Sequence, residues 1–269
     1  MEFVTKVVEC VNTFLWDYAL LILLLGAGII YSFSLKFIQV RKFGAGMKAL
    51  FGNFSLHGGK GENGLSSFQA LTTAIAAQVG TGNIAGAATA LAIGGAGAIF
   101  WMWIAAFLGM ATIYAEAIMA QKYKTVGADG QVTGGPVYYI RAAFKGTFGK
   151  VLAGIFAILI TLALGFMGNA VQSNSIAASF HTAFGIPQWI MGLVVAVIAI
   201  FVFMGGMKRI AKVTETIVPF MAALYIIGSL IVIIYNYKNI PYAFASIFIG
   251  AFSPSSVVGG AAGATVKLA

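Results

Sequence analysis

Long apolar segments separated by short polar connections run through most of this chain. A membrane-spanning α-helix needs about 20 mostly apolar residues, and several of the segments reach that length. The predicted spans lie at about residues 17–36, 66–93, 98–121, 151–180, 189–206 and 213–235. The stretch 236–269 is also apolar, but Gly, Ser and Pro interrupt it too often for a span. The pattern therefore predicts an all-α polytopic membrane protein.

The composition supports lipid rather than water as the solvent for these helices. Hydrophobic residues make up 60% of the chain and charged residues 9%, whereas a soluble domain carries roughly 25% charged residues. The single cysteine, Cys10, excludes an intramolecular disulfide and a cysteine metal cluster. The sequence also contains no nucleophile elbow, HExxH motif, P-loop or paired acidic motif. We therefore expect a membrane protein that is not an enzyme and that requires no cofactor.

Basic residues follow alternate predicted spans, which indicates how the chain crosses the membrane. If the N-terminus lies outside, the connections after the first, third and fifth spans are cytoplasmic and carry most of the Lys and Arg. The opposite side keeps Lys6, Lys238 and Lys267. The formal net charge of +9 is then explained by orientation and by contact with anionic lipid, and it does not indicate nucleic-acid binding.

The second predicted span is interrupted by two glycines, Gly80 and Gly82, which are poor helix formers. Irregular backbone at membrane depth persists only where it faces protein or a polar cavity. We expect Asn83 to cap a helix that restarts at Ile84. The N–H groups of Thr81, Gly82 and Asn83 would then be exposed at the positive end of the second half-helix, which suits a substrate carboxylate.

The negative end of the first half-helix offers backbone oxygen atoms. The carbonyl groups of Ala76, Gln78 and Val79 are ligands of the kind that a small hard cation accepts. A different interpretation of the same stretch is a close-packing seam, because Gly82 and Gly86 form a GxxxG pair. The two interpretations, a binding site and a packing seam, both remain open on the residues alone.

A second group of polar residues lies in the fourth predicted span. Asn169, Gln172 and Ser173 are three or four positions apart and share one helical face, and Phe166 precedes Asn169 on that face. In one interpretation Phe166 is a wall of a small pocket, and Asn169 or Gln172 accepts a hydrogen bond from a substrate ammonium group. In the other, the amides are structural links to neighbouring helices.

Two further features concern charge near the membrane surface. The sequence Gly134-Gly135-Pro136 predicts the start of a short interfacial helix at 137–144, within a basic connection. Glu116 lies toward the cytoplasmic end of the third predicted span, where an ionisable group is either a functional residue or a partner in an ion pair with a nearby Lys or Arg, and we expect the ion pair. We also expect Glu215 to form an ion pair with Lys212 or Arg209.

Three stretches together resemble the alanine/glycine:cation symporter family. They are residues 78–86 (QVGTGNIAG), the motif 134–140 (GGPVYYI) and residues 168–174 (GNAVQSN). The resemblance runs over nearly the whole chain from about residue 15. Residues 79–83 are also similar to the unwound first core helix of leucine-transporter-type (LeuT-type) proteins. The resemblance implies a LeuT-type inverted-repeat fold of the APC superfamily, with an extra N-terminal helix.

The same resemblance implies a function and a set of site residues. It implies sodium-coupled, or in some members proton-coupled, symport of alanine or glycine by alternating access, in the inner membrane of a prokaryote. The amides near Thr81, Gly82 and Asn83 would hold the substrate carboxylate. The other implied contacts are Gln78, Phe166 and Asn169 as pocket lining, and the carbonyl groups of Ala76 and Val79 as sodium ligands.

The resemblance also implies a domain organisation. Residues 1–64 would hold the extra helix and a basic cytoplasmic connection, and residues 65–235 the first five-helix repeat, broken at 79–83. Residues 236–269 would be an extracellular segment that leads to a second repeat. Family members continue past this point, so we expect that the 269-residue chain alone does not transport.

Two other classes of function are compatible with a polytopic membrane protein. A passive channel or facilitator would need a continuous polar stripe through several spans, and only the second and fourth spans show one. A non-transporting membrane scaffold would not need a broken helix. The sequence therefore favours a secondary active transporter over both alternatives.

Overall fold

The computed structural model describes residues 2–51, 67–127, 132–254 and 256, and most of them are helical. The helices are α1 (Glu2–Thr13), α2 (Leu21–Ser34), α3 (Ile38–Arg41), α4 (Phe43–Phe51), α5 (Ser67–Gln78), α6 (Thr81–Gly94), α7 (Ala98–Lys122), α8 (Pro136–Ala143), α9 (Gly146–Leu162), α10 (Asn169–Phe184), α11 (Gln188–Phe203), α12 (Gly206–Tyr235) and α13 (Ile240–Gly250). The π-helical segment π1 (Phe14–Leu20) joins α1 to α2, π2 (Ala163–Gly168) joins α9 to α10, and a 3-10 turn (Tyr237–Asn239) precedes α13.

Among the described residues, four helical stretches are long and apolar enough to cross a membrane. They are Thr5–Ser34, Ala98–Lys122, Gly146–Phe184 and Gly206–Tyr235, and Gln188–Phe203 is a shorter apolar helix. Five of the six predicted spans correspond to these stretches, and the first, fourth and sixth begin earlier than expected. Polar residues in the first turns of these helices shorten the apolar run without ending the helix. The second predicted span, 66–93, is divided between α5 and α6, neither of which is long enough to cross a membrane.

The first long helix ends at Ser34, where the chain enters two left-handed residues. Lys36 and Phe37 have φ values of 53° and 50°, a conformation uncommon for residues other than glycine. The turn brings Gln39 back to α2, where its Nε2 atom donates to Ser32 Oγ at 3.0 Å. Ser32 is 1% exposed, so this bond satisfies a hydroxyl group that is removed from solvent.

A short β-ribbon corrects the expectation of a purely all-α fold. Strands β1 (Thr125–Val126) and β2 (Val132–Thr133) pair antiparallel in the connection between α7 and α8. Each strand has two residues, which is too short to produce an alternating pattern in the sequence. The short helix α8 that follows begins at Pro136, as the Gly-Gly-Pro motif predicts.

The chain divides into two compact units. One consists of Met1–Asn53, Val79–Tyr114 and Met221–Ala269, and the other of Phe54–Gln78 and Ala115–Phe220. In the first unit, α13 packs against the turn between α6 and α7. With 11 residues, α13 is shorter than a span, in agreement with the interrupted pattern after residue 236.

Glycine makes this packing possible. A Cβ atom on Gly97 would overlap the backbone of Gly250 and lie 2.6 Å from the Ala251 nitrogen. The adjacent residues Ala98 and Ala251 are each 0% exposed. The two backbones therefore meet directly, in the manner of close helix contacts in membranes.

Polar and aromatic contacts surround the same point. Trp101 Nε1 donates to the Ala251 carbonyl oxygen, and Ser256 Oγ donates to the Gly94 carbonyl oxygen at 2.8 Å. The rings of Phe100 and Phe248 meet edge to face, with their centroids 5.9 Å apart. These contacts fix the end of α6 and the start of α7 to the segment that follows α13.

We predict that Gly97→Ala lowers the thermal unfolding midpoint, because the added methyl group meets backbone atoms that have no rotamer with which to move away. Overpacking of this kind costs roughly 1–3 kcal/mol. The measurement is thermal unfolding of the purified protein in detergent. Gly109→Ala on α7 is the control, because its Cβ would meet nothing within 4 Å. Equal midpoints for the two variants would show that the Gly97 contact is not tight.

Candidate functional site

The predicted break in the second span is present. Helix α5 ends at Gln78 and α6 begins at Thr81, so Val79 and Gly80 separate two half-helices. Gly80 is extended, with φ −124° and ψ −175°. The break also falls where the chain passes from the second compact unit to the first. One apolar stretch therefore forms two helices that end and begin within the same few residues.

The structure corrects the predicted start of the second half-helix. We expected Asn83 to cap a helix from Ile84, but α6 begins at Thr81 with Gly80 as its N-cap residue and no side-chain cap. Asn83 lies inside the first turn, and its N–H donates to the Gly80 carbonyl oxygen at 3.1 Å. The expectation that this N–H is exposed is therefore wrong. The helix starts earlier than expected because Gly80, rather than Asn83, takes the extended N-cap conformation.

The candidate carboxylate-binding residues form the first turn of α6. Thr81, Gly82 and Asn83 are all half-buried. This turn carries the partial positive charge of the helix macrodipole. Gly82 presents no side chain, so a ligand can approach the backbone closely at that position.

The candidate cation ligands lie at the C-terminal end of α5. Ala76 and Gln78 belong to the last turn of α5, and Val79 follows it directly. All three residues are exposed, Val79 to 45%. The C-terminal end of a helix carries partial negative charge on its carbonyl oxygen atoms. The role of these carbonyl groups as cation ligands stays a prediction.

The second candidate group lies at a π-helical segment that the sequence did not predict. Phe166 is inside π2, Asn169 is the first residue of α10, and Gln172 follows one turn later. Phe166 is 68% exposed, Asn169 is exposed and Gln172 is half-buried. Single turns of π-helix are rare and occur frequently at functional sites. The two glycines of π2, Gly165 and Gly168, are the only local sign of irregularity.

The hydrogen bonds of Asn169 define what its side chain can do. Its Nδ2 atom donates to the Gly165 carbonyl oxygen at 2.9 Å, within the same helical stretch. Its backbone N–H donates to the Phe166 carbonyl oxygen. In the part of the chain that the structure describes, Asn169 makes no bond to another helix. The amide oxygen Oδ1, which can only accept, is then the atom suited to an ammonium donor.

A third polar group, which lies in the second unit, was not expected. Gln69 Nε2 on α5 donates to Glu215 Oε2 on α12 at 3.0 Å, and the hydroxyl groups of Thr73 and Thr214 are 3.2 Å apart. These bonds join the first half-helix to α12. A partner 146 positions away along the chain leaves no local signal in the sequence.

The contact with Gln69 also corrects the predicted ion pairs. Glu215 forms no ion pair with Lys212 or Arg209 within the described residues, and its Oε2 atom accepts a hydrogen bond from Gln69 instead. Glu116 is exposed on α7 and likewise has no ion pair there. A neutral amide, rather than a cation, therefore stabilises the half-buried carboxylate of Glu215.

Several curated proteins are similar to this chain over nearly all of its length. A sodium/alanine symporter of Methanococcus maripaludis is 43% identical over 99% of the chain and 58% of its own length. A putative sodium/proton-dependent alanine carrier of Bacillus subtilis is 44% identical over 97% of the chain and 52% of its own length. A probable sodium/glutamine symporter of the same organism is 40% identical over 98% of the chain and 54% of its own length.

The chain thus spans about half the length of the curated relatives it matches. The family and these relatives are transporters rather than enzymes. The apolar helices agree with a multi-pass membrane protein. The family model of the sodium:alanine symporters matches residues 1–268, and with the relatives it shows that this chain belongs to the sodium:alanine symporter family.

Proposed function

We propose that the protein carrying this chain is a secondary active transporter that couples sodium entry to uptake of a small neutral amino acid by alternating access. The observation that carries the proposal is the break between α5 and α6 within an apolar segment. Lipid does not tolerate irregular backbone unless protein or a polar cavity covers it. A broken helix with opposite dipole ends is the arrangement by which transporters bind a substrate and its coupling ion.

The first turn of α6 is proposed to bind the substrate carboxylate. The macrodipole contributes about 0.3–1 kcal/mol at an exposed site and up to ~2 kcal/mol at a partly buried one. Thr81, Gly82 and Asn83 are half-buried, so the macrodipole contribution expected here is closer to that of a partly buried site. Hydrogen bonds to a carboxylate are charge-assisted and add to this energy.

The start of α10 is proposed to bind the substrate ammonium group. Asn169 is positioned for this role because the Gly165 carbonyl oxygen holds its Nδ2 atom and Oδ1 remains as the acceptor. We assign Gln172 as a second acceptor, and Phe166 and Gln78 as lining that limits the size of the substrate side chain. Uncharged amides allow such a site to hold a zwitterion without an excess of charge.

The carbonyl groups of Ala76 and Val79 are proposed to ligate sodium. Sodium entering down a potential of about 100 mV supplies about 2.3 kcal/mol for each charge, which is sufficient to accumulate a neutral amino acid. One relative is named for both sodium and protons, so protons are the alternative coupling ion. We propose sodium because the backbone oxygen atoms at the end of α5 bind a metal cation but not a proton.

We propose alanine as the substrate, with glycine as a smaller alternative. Two of the three relatives described above are named for alanine and one for glutamine. We further propose a plasma-membrane location with the N-terminus outside, from the distribution of Lys and Arg. The broken α5–α6 pair, followed by α7, the α9–π2–α10 stretch, α11 and α12, is proposed to be one repeat of a LeuT-type fold, with the α1–α2 helix as an addition.

We predict saturable uptake of alanine that depends on an inward sodium gradient. The measurement uses radiolabelled alanine and proteoliposomes that contain the complete protein. Glycine should compete with alanine, and glutamine should compete weakly because the lining residues restrict the side chain. Uptake that does not saturate would indicate a channel, and no uptake in any gradient would indicate a scaffold. Either outcome would contradict the proposed symport.

We predict that Gly82→Leu weakens alanine binding by at least about tenfold, a change equivalent to 1.4 kcal/mol. The reason is that a branched side chain at the first turn of α6 prevents close approach of a carboxylate to the backbone. Binding is measured by titration calorimetry in sodium. Gly26→Leu on α2 is the control, because a Cβ there would meet nothing within 4 Å. Wild-type affinity for Gly82→Leu would favour the packing seam.

We predict that Asn169→Ala weakens alanine binding by about tenfold or more, since a hydrogen bond to a charged group contributes about 1.5–3 kcal/mol. The same titration measures the effect, and the thermal unfolding midpoint reports whether the variant is folded. Asn174→Ala, at an exposed residue of the same helix, is the matched control and should bind normally. A folded Asn169→Ala variant with unchanged affinity would remove Asn169 from the site.

A further inference from the structure

The junction between α8 and α9 is a tight corner in the second unit. Phe144 separates the two helices in an extended conformation, and Gly146 adopts a left-handed φ of 81°, which favours glycine. Gly149 is buried, and a Cβ atom there would overlap the Phe144 carbonyl group. The direction of the chain at this corner therefore depends on two glycines.

Two aromatic rings project from the corner. Phe144 is 48% exposed and Phe148 is 65% exposed. Their centroids are 5.6 Å apart, and the rings meet at 82°. The pair lies at the start of the Gly146–Phe184 stretch, which is long and apolar enough to span a membrane. Exposed phenylalanine rings at the start of such a stretch offer an apolar surface that an acyl chain can contact.

Basic residues lie close to Phe144 and Phe148 along the chain. Arg141, Lys145 and Lys150 are all exposed, and each lies within three positions of Phe144 or Phe148 along the chain. Between residues 117 and 214, the described part of the chain contains no acidic residue. The cationic side chains of the corner therefore have no carboxylate near them in sequence within the described second unit.

The end of α7 adds two more cations to this region. A Cβ atom on Gly134 would lie 3.1 Å from the Ala120 carbonyl oxygen and 3.3 Å from Lys124 Cβ. The segment that leads into α8 thus packs on the last turns of α7, which carry Lys122 and Lys124. Both lysines are exposed. Two further exposed lysines therefore lie near the segment that leads into α8.

We propose that this corner binds an acidic phospholipid. The phosphate group would lie among Arg141, Lys145 and Lys150, and an acyl chain would lie against Phe144 and Phe148. Charge complementarity selects an anionic head group, because basic residues beside a membrane attract acidic lipids. The exposed ring pair favours a ligand that carries a long hydrocarbon chain beside its anionic group, as a phospholipid does and a nucleic acid does not. The proposal is independent of which amino acid the protein transports.

The experiment compares lipid retention by the complete protein. The protein is reconstituted into mixed vesicles of phosphatidylcholine and phosphatidylglycerol, extracted mildly, and examined by native mass spectrometry for the ratio of the two lipids that remain bound. The corner variant carries Arg141→Gln, Lys145→Gln and Lys150→Gln. The matched control carries Lys42→Gln, Lys48→Gln and Lys208→Gln, which remove the same charge from exposed positions elsewhere.

The wild type and the control are expected to retain phosphatidylglycerol preferentially. The corner variant is expected to lower the retained phosphatidylglycerol-to-phosphatidylcholine ratio by at least about tenfold, and Phe148→Ala should reduce total retained lipid with a smaller change in the ratio. If the triple variant does not fold, Lys145→Gln alone should show a smaller shift in the same direction.

Three results would overturn the proposal. The corner variant could retain the wild-type ratio, or the control could lose as much as the corner variant, which would show that only overall charge matters. Displacement of the bound lipid by inorganic phosphate alone would also contradict it, because the hydrocarbon contact with the rings would then contribute nothing. Loss of selectivity at high salt is expected, since exposed charges are screened.

Discussion

The demand of the bilayer for internal hydrogen bonding constrains every other feature of this chain. Hydrocarbon offers no donor or acceptor, so a span must satisfy its own backbone through helical bonds, and each interruption needs a substitute. The described structure interrupts its apolar helices at few places, and the interruptions at Val79–Gly80 and at π2 coincide with the candidate binding residues. Backbone groups released from helical pairing are the groups that can bind an ion or a zwitterion, so the proposed site uses the same peptide units that interrupt the helices.

The π2 segment shows how one side chain serves both requirements. Widening of the helix at Ala163–Gly168 disturbs the regular bonding, and Asn169 supplies its Nδ2 atom to the Gly165 carbonyl oxygen. The same bond orients the amide so that its oxygen is the remaining acceptor. The bond stabilises irregular backbone, and the proposed role in substrate binding uses the other atom of the same amide. One residue type therefore fits both the structural and the functional interpretation of the polar face.

Small residues set the contacts between elements. Gly97 against Gly250 and Gly149 against Phe144 allow backbones to approach to a distance that any side chain would prevent. In lipid, the association of helices depends on such close packing and on polar bonds, because burial of apolar surface drives it little. Two contacts of the polar kind, Gln69 with Glu215 and Thr73 with Thr214, join α5 to α12 within one unit. Close backbone approach therefore holds some elements of the chain together, and side-chain hydrogen bonds hold others.

The sequence by itself determined the apolar spans, the break near Gly80 and the short helix at Pro136, because hydrophobicity, glycine and proline act on the few residues around them. It placed the start of α6 at Ile84 rather than Thr81, and it gave no sign of π2 or of the two-residue strands. Only the tertiary structure decided the partner of Glu215 and the docking of α13 on the α6–α7 turn. Those choices depend on contacts between segments that are far apart in the chain, and the composition of either segment alone does not specify the other.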